Sequence, residues 1–163
     1  MEPYRLAHSE EPTAVVEFWL KHERLDPQYV TAALGVPPTV AWAKGERPSH
    51  DIGQRLAPRR FGAWCLAASA SRRDPIIAQL GVLLDQLGQL PPIVRELTRE
   101  YGGFISVGYS SGEGAIGFLL ARDTLARLSD LGLAIDFNIY PVAVPVEDQA
   151  EEAQADRSMT HEQ

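Results

Sequence analysis

The side chains best suited to recognition chemistry lie in one basic run. Residues 44–73 hold seven bases against only two acids, Glu46 and Asp51. A guanidinium fork grips a carboxylate through two parallel N–H···O bonds. Lys44, Glu46, Arg47, Arg55, Arg59 and Arg60 are therefore expected to dock a protein partner with an acidic surface. A second set offers a pocket instead. Trp19, Trp42, Ser106, Asp136, Asn138 and Tyr140 combine aromatic and polar groups on strand faces, the mixture that small-molecule sites use. Strand parity alone does not place Trp42 on the same face as the others.

Other chemistries are less well supported. Gly112-Glu113-Gly114-Ala115-Ile116-Gly117 fits the dinucleotide fingerprint, with a strand before it, a helix over residues 118–131, and Asp136 about 20 residues on. Against it, Glu113 would set a carboxylate beside the pyrophosphate, and Asp136 falls in mid-strand. The chain also stops within one βαβ unit, so the rest of a doubly wound sheet is missing. The glycines are better read as a turn between two paired strands. Cys65 stands in an apolar, Ala-rich segment, whereas a reactive thiol needs electropositive, partly open surroundings. His8, His22, His50 and His161 have no metal-ligand spacing, and no second cysteine assists them, so no metal site is expected. His50-Asp51 are loop neighbours without a placed nucleophile. No catalytic residue and no cofactor is expected.

Composition narrows the class. The 163 residues are 45% hydrophobic and 23% charged, which suits one globular domain. A net charge of −7 argues against non-specific nucleic-acid binding. No apolar run is long enough to span a bilayer, and the acidic start MEPYRLAHSEEP is unlike a signal peptide, so a cytoplasmic, non-membrane protein is expected. Residues 1–12 read as a loose leader, 13–145 as a single α+β domain, and 146–163, with six acids against Arg157, as a disordered acidic tail. Oligomeric state leaves no mark in the sequence.

The elements that must position these residues follow from periodicity. Residues 14–21 alternate Val16, Phe18 and Leu20 with Val15, Glu17 and Trp19, a strand. Asp26-Pro27 is an N-cap with proline at the first helical position, and Gly35 with Pro37-Pro38 ends the short helix. Strands are expected over residues 39–44 and 61–68, separated by an exposed Arg-rich loop at 46–60. Asp74-Pro75 repeats the capped start, and Ile76, Ile77, Leu80, Leu83, Leu84 and Leu87 keep helical spacing. Pro91-Pro92 opens another helix with Ile93, Val94, Leu97 and Tyr101 inward. A strand at 104–110, a turn at 111–114 and a returning strand at 115–120 come next. A short helix ending at Gly132 and a last strand at 133–140 complete the chain. The order gives a largely antiparallel sheet of about six strands with helices on one face. Its third to sixth strands form a ferredoxin-like βαββαβ unit, preceded by a βαβ piece.

Several motifs, in order, resemble a bacterial domain-of-unknown-function family, the one numbered 4279. They are Asp26-Pro27, then Gly35-Val36-Pro37-Pro38-Thr39 followed by Trp42, Lys44, Gly45 and Glu46, then Gly62 and Trp64. The ending Leu131-Gly132-Leu133-Ala134-Ile135-Asp136-Phe137-Asn138-Ile139-Tyr140 is similar too. The likeness covers about residues 14–142, and the chain departs from it in its Arg-rich loop and acidic tail. The family has no established activity, so the resemblance implies a fold and a bacterial origin without a mechanism. Small bacterial α+β proteins of related kind often act as immunity proteins that neutralise a toxin, and that role extends here by analogy. The expectation is a non-catalytic binding protein working through its Arg-rich loop. The alternative is a small-molecule-binding or tailoring protein that uses the open sheet face.

Overall fold

The alternation TAVVEFWLKH makes β1 (Thr13–His22) a strand with one buried face, and every other element is built around it. In the computed structural model, which describes residues 12–48, 57–111 and 117–141, Ala14, Val16, Phe18 and Leu20 are at most 3% exposed. Burying Phe18 and Leu20 stabilises the fold by roughly 1.5–3 kcal/mol each. The elements after β1 are α1 (Pro27–Leu34), β2 (Val40–Trp42), β3 (Gly62–Ala67), α2 (Ile76–Leu87), α3 (Pro91–Tyr101), β4 (Gly103–Ser111), α4 (Arg122–Asp130) and β5 (Ala134–Pro141).

The sheet order is β2-β3-β1-β4-β5. β1 runs antiparallel to both β3 and β4, β2 runs antiparallel to β3, and β4 and β5 are parallel. The described residues thus form an α+β fold with a five-stranded mixed sheet and four helices. Trp64, Leu80, Leu84, Val94, Leu97, Leu128 and Ile105 join β1 in one core, so the helices share one face of the sheet.

Local signals explain most of the elements. Asp26 Oδ1 accepts from the Gln28 N–H at 2.9 Å, Pro27 occupies the first turn, and Gly35 closes α1 at φ 68°. Trp64 drops from β3 onto α1 and donates its indole N–H to Thr31 Oγ1 at 3.0 Å, while its ring meets Phe18 edge-on at 6.2 Å. Gly62 is required just before it, because a Cβ there would overlap the Leu25 carbonyl oxygen. Gln79, which the sequence does not single out, is 2% exposed and donates to the Ala14 and Asp74 carbonyls at 3.1 and 2.9 Å. It ties α2 to the start of β1.

The structure corrects several expectations. The sheet has five described strands, where about six were expected, and the βαββαβ run is β1 to β4 at the front of the chain, in spatial order 2-3-1-4. The appended piece is α4-β5 at the back. Residues 117–120 are no strand, while 115 and 116 lie outside the described residues. Phe118 stacks on Phe137 at 5.0 Å and Leu120 leans on the core, so the alternation there marks a segment lying over the sheet. Two-residue spacing reports one buried side, which such a segment needs as much as a paired strand does. β4 and β5, parallel neighbours, are instead joined through α4, the crossover a parallel pair requires. α4 starts at Arg122, so Gly117 does not open it, contrary to the geometry of a dinucleotide fingerprint. Asp74 does not cap α2. Its Oδ2 accepts from the Ser71 N–H at 2.9 Å, and Pro75 takes the cap position. The second strand is only Val40–Trp42, shorter than residues 39–44. The leader up to residue 11, loop residues 49–56, the turn at 112–116 and the tail from 142 lie outside the described residues. No helix among the described residues is long and apolar enough to cross a membrane.

Candidate functional site

The sheet face away from the helices carries the candidate residues, and the strand register arranges them in rows. Ala134, Phe104, Trp19, Cys65 and Val40 lie in one row across β5, β4, β1, β3 and β2. Asp136, Ser106, Glu17 and Ala67 form the next, followed by Asn138, Gly108 and Val15, then Tyr140, Ser110 and Thr13. On the other side of the Trp19 row, Lys21, Ala63 and Trp42 line up.

Trp19 and Trp42 do meet on this face, with ring centroids 5.8 Å apart. They project from β1 and β2, which are separated in the sheet by β3. The small side chains of Ala63 and Cys65 on the intervening β3 leave room for the indoles to close over it, and both small residues are wholly buried beneath. The Arg59 guanidinium lies 4.0 Å from the Trp42 ring centre, and the Trp42 indole N–H donates to the Phe61 carbonyl at 3.1 Å. An Arg59–Trp42–Trp19 cluster results, the two indole planes inclined at 59° to each other. Trp19 is fixed from its other side, where its N–H donates to Glu17 Oε2 at 3.0 Å.

The ends of the Arg-rich loop are tied back to the fold. Gly45 N–H donates to the Arg59 carbonyl at 2.8 Å, and Arg59 N–H donates to the Glu46 carbonyl at 2.9 Å. Glu46 also caps its own turn, its Oε2 accepting from Ala43 N–H at 2.9 Å. Lys44 pairs with Glu23 at 3.3 Å, but the two side chains are 53% and 61% exposed and the pair contributes little. Arg47 and Arg60 are exposed at the same end. Arg55 lies outside the described residues.

The proposed pocket set is split. Ser106, Asn138 and Tyr140 line a shallow hollow of about 150 Å³ floored by Gly108. Asn138 Nδ2 donates to Asp136 Oδ2 at 3.2 Å and to Ser106 Oγ at 3.5 Å, which places Asp136 at the rim. The Trp19 row and the Tyr140 row are six residues apart along β1, about 20 Å at about 3.3 Å per residue. One ligand hollow does not hold both. A larger apolar crevice of about 590 Å³ opens where α1, β3 and the α2–α3 junction meet, among Leu34, Val36, Leu66, Leu87, Leu90 and Val94. Its only sequence signal is that Val36 and Leu90 are large apolar residues at element ends. Gln86 and Gln89 are the polar groups that line it.

Cys65 is buried and burial pushes its thiol pKa up, helped by the nearby Glu17 carboxylate. The thiol stays protonated and poorly nucleophilic. Among the described residues no three His, Cys, Asp or Glu side chains are grouped to hold a metal ion. No curated protein and no solved structure matches the chain. The family model that does match is described as Domain of unknown function (DUF4279), and its match over residues 11–142 takes in all nine described elements and the rows of the open face, so the chain belongs to that family.

Proposed function

We propose that this protein is a non-catalytic binding protein of the immunity type, which neutralises a partner by docking its acidic surface. The docking end is the one formed by Lys44, Glu46, Arg47, Arg59 and Arg60, with Arg55 from the same loop. The contact of Arg59 with Trp42 and of Trp42 with Trp19 is the observation that carries this reading. Tryptophan and arginine dominate the energetics of protein interfaces, most of all where they are already held in place. A guanidinium held 4.0 Å from an indole centre is already placed over the ring, so it loses less freedom when it grips a carboxylate. The neutralising role and the bacterial setting rest on analogy and resemblance. The test is quantitative capture at low salt from the source cells, comparing wild type, Arg47→Ala/Arg59→Ala/Arg60→Ala, and a control, Ser106→Ala/Asn138→Ala. A stoichiometric partner held by wild type and control, released by salt and lost by at least about tenfold in the triple variant, is expected. Equal retention by all three proteins overturns the reading.

A second reading, a small-molecule-binding or tailoring protein, is supported by the hollow where Ser106 and Asn138 converge. At about 150 Å³ it falls below the usual range for small-molecule sites, about 300–1,000 Å³, so only a ligand of a few heavy atoms fits.

A further inference from the structure

The two edges of the sheet are protected very differently. β2 is three residues long, follows Pro37-Pro38 and is flanked by Lys44 and Arg47, the usual devices against strand-to-strand association. β5 has fewer of these, Asp136 being its one charge and Pro141 its last residue. It runs one-to-one with β4 from Phe104↔Ala134 to Ser111↔Pro141, so it has no bulge, and it carries no lysine or arginine and no proline before residue 141. No described residue pairs with its outer edge. Ile139 is 51% and Tyr140 54% exposed there.

We propose that β5 pairs antiparallel with β5 of a second copy of this chain, joining two five-stranded sheets across a two-fold axis. The residue pattern selects the register. Directly opposed residues share a face, so the axis must pass through a residue position. An axis at Asp136 sets that carboxylate against its own copy, and like charges directly opposite destabilise. An axis at Asn138 brings Pro141, which has no N–H, into the ladder against Ile135. An axis at Phe137 avoids both and pairs all of residues 134–140. It sets Ile135 against Ile139 and Phe137 against its copy on the helix side. On the open side it sets Asp136 against Asn138, a carboxylate against an amide donor, and Ala134 against Tyr140, small against large. The strand is thus complementary to itself in one register, as a two-fold contact between copies requires. The paired edge is short, so the dimer belongs to the transient, concentration-dependent class. The contact lies at the opposite edge from the Arg59 cluster and is independent of partner docking.

The test is mass by light scattering over a wide concentration range, with disulfide trapping to read the register. Wild type rises from one chain's mass toward two as it is concentrated. Ile139→Lys, at an exposed position, stays monomeric while keeping the wild-type circular dichroism. Opposed Cα atoms lie about 4.5–5.5 Å apart, within disulfide reach. Ala134→Cys/Tyr140→Cys therefore traps a covalent dimer under mild oxidation, and Ala134→Cys alone does not. The two cysteines of one chain are six residues apart on a strand and cannot bridge each other. The proposal is overturned by a monomer at every concentration, by a dimer that survives Ile139→Lys, or by equal trapping in the single and double cysteine variants.

Discussion

On the helix side of β1, Ala14, Val16, Phe18 and Leu20 are almost wholly buried, whereas Val15, Glu17 and Trp19 on the other side keep part of their surface in water. The two tryptophans nearest this strand show what the difference means. Trp64 faces the helices, is 0% exposed, and has its ring and its N–H both engaged by the core. Trp19 faces outward, half-buried against the tilted ring of Trp42. The covered face is held by filled volume. The open face depends on which small residues, here Ala63 and Cys65, let larger neighbours reach across. One face stores stability and the other presents a surface.

Paired truncations would break this contrast if it is wrong. Trp64→Ala is expected to cost about 3–5 kcal/mol by leaving a large cavity and removing the indole N–H bond to Thr31, whose hydroxyl keeps its own bond to the Pro27 carbonyl. Trp19→Ala should cost about 1 kcal/mol, because part of its surface is already in water. Denaturant unfolding of the two variants measures both, and equal losses would erase the distinction between the faces.

A subtler probe lies beneath the indoles. The folded protein holds the Cys65 proton more tightly than the unfolded chain, whose thiol titrates near 9.0. Its stabilisation is therefore complete below that pH and is lost as pH rises above it, with a slope tending to about 1.4 kcal/mol per pH unit. Burial and Glu100 also raise Tyr101, whose ordinary value is 10.0, so the decline that begins between 9.0 and 10.0 belongs to Cys65. Cys65→Ala should remove that first part of the alkaline loss in a pH series of unfolding curves. An unchanged series would mean that water reaches the thiol under the indoles.

The smallest effect is expected at the basic end. Lys44→Ala removes an ion pair between two largely exposed side chains, so stability should change by no more than about 0.5 kcal/mol. A larger loss in thermal unfolding would show that the Lys44–Glu23 pair helps to brace the loop.

The legible parts of the fold were those whose causes lie within a few residues. Asp26, Pro27 and Gly35 delimit α1 by satisfying local backbone groups, and the alternation in β1 marks its buried side. The leucines of α2 and the Val94, Leu97 and Tyr101 stripe of α3 are buried as their spacing requires. The candidate site was half legible. Trp19 and Trp42 were singled out together, but their meeting depends on Ala63 and Cys65 from a third strand. Gln79 escaped notice because a buried glutamine has no periodic signature. Only its partners, Ala14 and Asp74, explain it.

By itself the sequence determined both ends of α1, the inward side of each long strand and the family. The tertiary structure alone decided that β1 lies at the centre, that β5 runs parallel beside β4, and that residues 117–120 lie over the sheet as unpaired chain. Caps and alternation are set by neighbours along the chain. Strand order is a competition among segments tens of residues apart, settled by which pairing buries Phe18, Trp64 and Ile105 together, and no short stretch of sequence carries that outcome.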